Sequence, residues 1–364
     1  MDEQTNRSRL GLWIRRLEHT IGRGAIKNHQ SFGDIHLTPF VTQRAKLLAL
    51  ASLACFSMLF STLTLAQAPV KILVGFPPGG GVDAVARMLA ERLEKITGRA
   101  HIVENRSGAG GSLPARALLT VPADGNTLLL APDTTVIVYP YTVTTAGFNP
   151  STDLMTIARV TSYDFALTVR GNNDIRNLDQ LREAIKNNSK AASIANPAAG
   201  NLLHFYAIAL TKALSLENIT HVPYRGVAPA ITDTIGGEVT ALVTPVGPVL
   251  QQAVSGRMQI LATSGSDRGA KTPNIPTLKE LGYPQLVSSG WFGLFAPAKT
   301  PADVIQKINE SVKQALLDPA MHSKLAALDM EAAWNSAQDF RSLVDSEGKK
   351  WAAVVKASGF KADQ

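Results

Sequence analysis

The stretch that most constrains this chain is a strand, a glycine loop and a helix joined end to end near residue 75. Val70-Lys71-Ile72-Leu73-Val74 is apolar and strand-like, and it leads into Phe76-Pro77-Pro78-Gly79-Gly80-Gly81-Val82-Asp83. Val82, Val85, Ala86, Leu89, Leu93 and Ile96 then recur at helical spacing, with Arg87, Glu91, Arg92, Glu94 and Lys95 on the other faces. Such a unit turns backbone N–H groups and the positive end of a helix dipole toward one point, which suits an anion. The loop lacks the Lys-Ser/Thr ending of a nucleotide-phosphate loop and the spacing of a dinucleotide fingerprint. The alternative is a tight turn in which Asp83 favours the helix start by capping or through the dipole.

The same alternation continues along the chain. Strands are expected at 70–75, 101–104, 127–131, 164–169, 192–195, 219–222, 239–244, 258–263 and 289–295. Helices are expected at 82–97, 111–120, 177–187, 200–214, 226–235, 247–254, 302–317 and 336–357. This pattern predicts an α/β fold of parallel sheets covered by helices. About 300 residues beyond the leader suit two domains of roughly 150 each. The last sixty or so residues carry no strand pattern, so they must pack back onto an existing sheet. The expected division is therefore a discontinuous domain of 69–168 plus 290–364 and a second domain of 169–289. Two linking strands, Asp164 to Val169 and Gly290 to Ala296, would form a hinge that closes on a ligand.

Residues 1–66 read as an N-terminal extension and a signal peptide outside the fold. Arg44 and Lys46 precede an apolar run from Leu47 to Phe60, and small residues follow as far as Ala66 and Ala68. Cleavage is expected after Ala66, giving a periplasmic protein. The apolar run is shorter than the ~20 residues a spanning helix needs. Cys55, the only cysteine, falls within this segment. Cleavage beyond it leaves a chain with neither disulfide nor thiolate chemistry, and whether Cys55 is lipidated stays open. The leader also holds eight Lys/Arg and four Asp/Glu, leaving 28 and 25 of the chain's 36 and 29, so the formal +7 falls to +3. With no basic cluster interleaved with aromatics, a nucleic-acid partner is not expected.

Other motifs occupy strand ends. Val103-Glu104-Asn105-Arg106-Ser107-Gly108-Ala109-Gly110-Gly111 reads as a packing loop with Glu104 and Arg106 pairing at the surface, or as a close approach to ligand. Pro132-Asp133-Thr134-Thr135 follows a strand, where open α/β sheets collect ligands, although helix capping is an equal use of Asp133 or Thr134. Ala198-Ala199-Gly200-Asn201 offers a second helix start, with His204 one turn on as a packing or hydrogen-bonding residue. Tyr224 would wall a cleft, Arg225 is either an anion attractor or solvated, and Trp291 is core or ligand wall. No Gly-x-Ser-x-Gly elbow or His-Glu-x-x-His is present, and His101, His204, His221 and His322 lack metal-ligand spacing. Neither catalysis, a metal nor a cofactor is expected.

Taken in order, Phe76-Pro77-Pro78-Gly79-Gly80 with Asp83 and Arg87, Val103-Glu104-Asn105, Gly108-Ala109-Gly110-Gly111, Ala123-Asp124-Gly125, His221-Val222-Pro223-Tyr224, Gly236-Gly237, Trp291-Phe292-Gly293-Leu294 and the closing Trp351-Ala352-Ala353-Val354-Val355-Lys356 form a set. Together they resemble the Bug-type extracytoplasmic solute receptors of tripartite tricarboxylate transporter systems. The resemblance implies a type II-like periplasmic binding protein: two α/β domains, two hinge strands and a cleft that closes on a small organic acid. It also implies delivery to the membrane permease subunits of such a transporter, by a monomer. A periplasmic sensor is the alternative, and a hydrolase or transferase cradling phosphate in the glycine loop is a remoter one. Carried over by position, ligand contacts would come from Phe76, Pro77, Gly79, Gly80, Asp83, Thr134, Thr135, Ala199, Gly200 and Asn201, with Tyr224 closing the site. Family receptors are similar in using backbone amides, hydroxyls and water rather than a buried Arg. Gly81-Val82, Asn196-Pro197-Ala198-Ala199 and Val243-Thr244-Pro245-Val246 depart from more polar family patterns, which tilts the expected ligand toward a less polar or aromatic carboxylate. Gly79→Val or Gly80→Val is expected to abolish binding with little loss of fold.

Overall fold

The computed structural model describes residues 68–143, 146–187, 192–216 and 218–362. The expected signal peptide, its cleavage point and Cys55 lie outside them. The strands are β1 (Val70–Val74), β2 (His101–Asn105), β3 (Thr127–Pro132), β4 (Leu154–Arg170), β5 (Ser193–Asn196), β6 (Thr220–Pro223), β7 (Ala241–Pro245), β8 (Met258–Thr263), β9 (Ser289–Pro297) and β10 (Glu331–Ala332). The helices that carry the argument are α1 (Gly81–Thr97), α2 (Leu202–Ala213), α3 (Val246–Val254), α4 (Ala302–Leu316), α5 (Pro319–Ala327) and α6 (Ala337–Ser358).

β2, β1 and β3 run parallel, with β9 antiparallel beside β3. β6, β5 and β7 form a second parallel set. β4 belongs to both: from Leu154 to Asp164 it pairs with β9, and from Phe165 to Arg170 with β7 and β8. The expectation of wholly parallel sheets is thus corrected to mixed ones, because the two strands that link the sets, β4 and β9, run antiparallel to their neighbours. β4 also begins well before residue 164. β10 adds to it at Thr161 and Ser162, a strand that the helix-only reading of the tail missed.

Alternation along the strands sorts side chains into separate cores. Ile72, Val74, Leu128 and Leu130 meet the apolar stripe of α1 (Val82, Val85, Ala86, Leu89, Leu93) and Ile305 and Val312 of α4. Leu73, Leu129 and Phe295 face the other way, toward Phe340, Val344 and Trp351 of α6. Ile96, expected on the buried stripe, lies in the last turn and is 36 % exposed. Gly98 stops α1 in the left-handed region (φ 68°), its N–H donating to the Glu94 carbonyl.

α6 starts at Ser336, whose side chain accepts the Asp339 N–H at 3.0 Å. It packs on β4 and also on α2, where Trp351 lies 6.3 Å from the Tyr206 ring centre. The C-terminal helix therefore braces strand sets on both sides of the β4 crossing. No helix among the described residues is long and apolar enough to cross a membrane.

Candidate functional site

The carboxyl ends of β1, β3 and β5 open onto one cleft of about 540 Å³. Phe76, Gly80, Gly81 and Val82 line it from the β1–α1 loop, and Pro132, Asp133 and Thr134 from the end of β3. Ala198, Ala199, Gly200 and Asn201 line it from beyond β5. Tyr139, Tyr163, Phe292 and Phe360 supply further aromatic surface, with Gly110, Thr142, Val143 and Ala362 between them. Among the described residues, neither Lys nor Arg lines it.

The first glycine loop is set by Asp83. This carboxylate is 2 % exposed and accepts the Gly79 N–H at 2.9 Å, Arg87 Nε at 3.0 Å and Asn105 Nδ2 at 2.9 Å. Burial alone would raise its pKa, but those donors outweigh it and hold the carboxyl at about 2. Asn105 Nδ2 also reaches the Phe76 carbonyl, so one amide ties β2 to the loop. Gly79 adopts φ 86°, a conformation that favours glycine. No side chain caps α1, whose first backbone bond runs from the Ala84 N–H to the Gly80 carbonyl at 2.9 Å. The preceding N–H groups have no intrahelical acceptor, and among them those of Gly81 and Val82 belong to residues that border the cleft.

The β5–α2 wall is built differently. Asn201 caps α2 by accepting the His204 N–H at 2.8 Å, and His204 Nδ1 accepts the Gly200 N–H at 3.1 Å. His204 is thus a neutral acceptor that positions the loop, with burial lowering its pKa. The Leu202 N–H donates to Thr134 Oγ1 at 3.3 Å, joining this wall to the β3 wall. Several donors that the second helix start was expected to offer a ligand are already engaged within the protein.

Beyond β3 the chain enters a π-helical turn, Thr134–Val138, a local irregularity frequent at functional sites. Asp133 caps it through the Thr134 N–H, and its other oxygen accepts the Trp291 N–H at 3.0 Å. Burial pushes the Asp133 carboxyl up to about 7; the Trp291 amide opposes this rise and the Glu347 carboxylate adds to it. Glu347 accepts Trp291 Nε1 at 2.8 Å, so Trp291 is a core residue tied both to the buried Asp133 and to the half-buried Glu347.

Six of the expected contact residues thus meet in the cleft: Phe76, Gly80, Thr134, Ala199, Gly200 and Asn201. Pro77, Gly79, Asp83, Thr135 and Tyr224 do not line it. Asp83 and Gly79 bond to each other, and Thr135 Oγ1 is turned back onto the Gly110 carbonyl at 2.9 Å. The Tyr224 hydroxyl donates to Asp233 at 2.7 Å, and Arg225 is exposed. Gly110 combines both uses of its loop: a Cβ there would meet the Tyr139 ring at 2.6 Å, and the residue also borders the cleft. The sequence reading missed Tyr163, Phe292 and Phe360. For Phe292 a signal existed, since it adjoins Trp291 on a strand whose alternate residues face opposite ways.

Comparison with known proteins finds that residues 85–360 match the model of the tripartite tricarboxylate transporter family receptor. Protein BugT of Bordetella pertussis is 32% identical over 297 residues, 80% of this chain and 90% of BugT. A Rhodopseudomonas palustris protein solved with adipate aligns with TM-score 0.69 at 26% identity, covering 81% of this chain and 98% of its own. MatC of the same organism, with bound malate, aligns with TM-score 0.65 at 25% identity, covering 79% and 98%.

Proposed function

Because this chain belongs to the tripartite tricarboxylate transporter receptor family, we propose that its cleft captures a small organic carboxylate in the periplasm and presents it to the permease of such a transporter. The observation that carries this reading is the uncapped start of α1, opening with Gly80 and Gly81 onto a cleft that no Lys or Arg lines among the described residues. Main-chain donors and a helix dipole favour an anion there without a cation. The solved relatives that hold malate and adipate support the ligand class.

In this reading the lobes are 69–168 plus 290–364 and 169–289, hinged where β4 changes partners at Asp164 and Phe165. Closure is driven by contacts that the ligand makes with both walls at once. The cleft serves capture rather than turnover. Isothermal titration of the purified protein against mono-, di- and tricarboxylates tests the reading. Saturable binding that Gly80→Val removes is expected; absence of any carboxylate binding overturns it.

A further inference from the structure

We infer that the ligand is a monocarboxylate with an apolar, ring-sized body, and that Phe360 is a residue that selects for it. This rests on the carboxylate-receptor reading and narrows it. The cleft has one wall with free main-chain donors, the α1 start, where no side chain caps the helix. At the facing wall three donors are consumed internally: Gly200 N–H by His204, His204 N–H by Asn201, and Leu202 N–H by Thr134. A second carboxylate lying there would give up its water for few partners, a strongly unfavourable exchange. The ionisable carboxyl that borders the space, Asp133, would repel it when charged and has its oxygens occupied by the Thr134 and Trp291 amides.

The rest of the lining is mostly apolar and aromatic. Phe76, Tyr139, Tyr163, Phe292 and Phe360 border a volume of about 540 Å³, within the size range of pockets that hold small organic ligands. Tyr163 and Phe292 meet edge to face at 5.9 Å between centres, which fixes their rings. Phe360 comes from the other end of the chain. Gly359 ends α6 in the left-handed region (φ 66°), and the following residue is carried against α2. Its ring stands edge to face with His204 at 5.3 Å and Phe205 at 5.5 Å. A Cβ at Gly200 would lie 3.0 Å from the same ring, so Gly200 makes room for it. The aromatic tail thus lies over the wall where these three donors are engaged, placing apolar surface where a dicarboxylate would need polar partners.

Titration calorimetry of the full chain with phenylacetate, hexanoate, adipate, malate and phenylacetamide tests the inference. Phenylacetate or hexanoate should bind at least about tenfold more tightly than adipate or malate. Phenylacetamide should bind at least about tenfold more weakly than phenylacetate, because it lacks the anion. Phe360→Ala should weaken phenylacetate by about tenfold while leaving a single cooperative unfolding transition, and Phe360→Leu should recover part of the loss. Adipate or malate binding as tightly as the monocarboxylates overturns the inference and leaves the receptor reading standing. If no carboxylate binds, the receptor reading falls as well. Unchanged phenylacetate affinity in folded Phe360→Ala removes Phe360 from the selecting role.

Discussion

Two cavities flank the place where β4 changes partners, and Tyr163 lines both. The cleft proposed to bind ligand is bordered by aromatic rings and main chain. The other, about 410 Å³, is bordered by Asp164, Lys271, His322, Asp329 and Glu331. There Lys271 pairs with Asp329, and its Nζ donates to the Ala326 carbonyl at 2.6 Å. The tie joins the loop after β8 to the turn after α5, and Asp329 packs so tightly that a Cβ on Gly247 would stand 2.3 Å from it. Charge thus holds the protein together on one side, while on the other neither Lys nor Arg borders the cleft among the described residues. An anion receptor need not carry a cation in its site; it needs donors that nothing else uses.

The largest expected effect removes the brace that packs on β4 and α2. Trp351 is 1 % exposed and packs α6 on α2. Trp351→Ala should cost about 3–5 kcal/mol through lost burial and the cavity left behind, read from urea unfolding. A loss below about 1 kcal/mol would mean that α6 is not a brace.

Next comes the ligand side alone. Gly80→Val should reduce carboxylate affinity by about a hundredfold or more, equivalent to about 2.7 kcal/mol, while the melting temperature falls by only a few degrees, about 2–4 °C per kcal/mol lost. A Cβ at Gly80 finds its nearest neighbour, the Pro77 carbonyl oxygen, at 3.6 Å, so the fold admits it. Gly79→Val was expected to behave alike. The positive φ of Gly79 makes that substitution strained instead, and a loss of stability should accompany it.

The charged side gives a pH dependence. Burial, and then the nearby Glu331 carboxylate, raises the Asp164 carboxyl from 3.8 to about 6. Between those values the unfolded chain has released this proton and the folded one retains it, so the group's contribution to stability falls as pH rises from about 4 to about 6 and levels off above. Asp164→Asn should flatten that part of the profile and stabilise the protein at pH 7.5 by on the order of 1–3 kcal/mol. Denaturant titrations at pH 5 and pH 7.5 decide it; an unchanged slope would place Asp164 in a solvated setting.

What the sequence made legible followed short-range rules. The β1–α1 loop was visible because glycines interrupt two strong periodicities, and Thr134, Ala199 and Gly200 because each stands just beyond a strand. What it hid depends on partners distant in the chain. Asp83, expected at the ligand, bonds instead to Asn105 and Arg87 and lies outside the cleft lining, as does Tyr224, whose hydroxyl donates to Asp233. Trp291 and Phe292 were a single cluster in the sequence, and a shift of one residue on β9 decided which entered the core and which met the cleft. Phe360 had no local signal, because its place is set by where α6 ends against α2.

The smallest expected effect is also the sharpest test of whether the two cavities are coupled. If a hinge at the β4 crossing narrows one cavity as it widens the other, a tie across the charged groove favours the state with the open ligand cleft. Ligand binding must then overcome that tie, and its removal should help. The Lys271–Asp329 pair is partly exposed, with side chains 48% and 29% accessible, so its worth is modest, within about 1 kcal/mol. Lys271→Met keeps the length of the side chain and removes the charge. It should therefore tighten carboxylate binding by about two- to fivefold, the factor that such an energy allows, with the gain shrinking at high salt as screening weakens the pair in the parent protein. Equal affinities for Lys271→Met and the parent at low salt would mean that the groove and the cleft are independent, and weaker binding would mean that the tie belongs to the ligand-bound state.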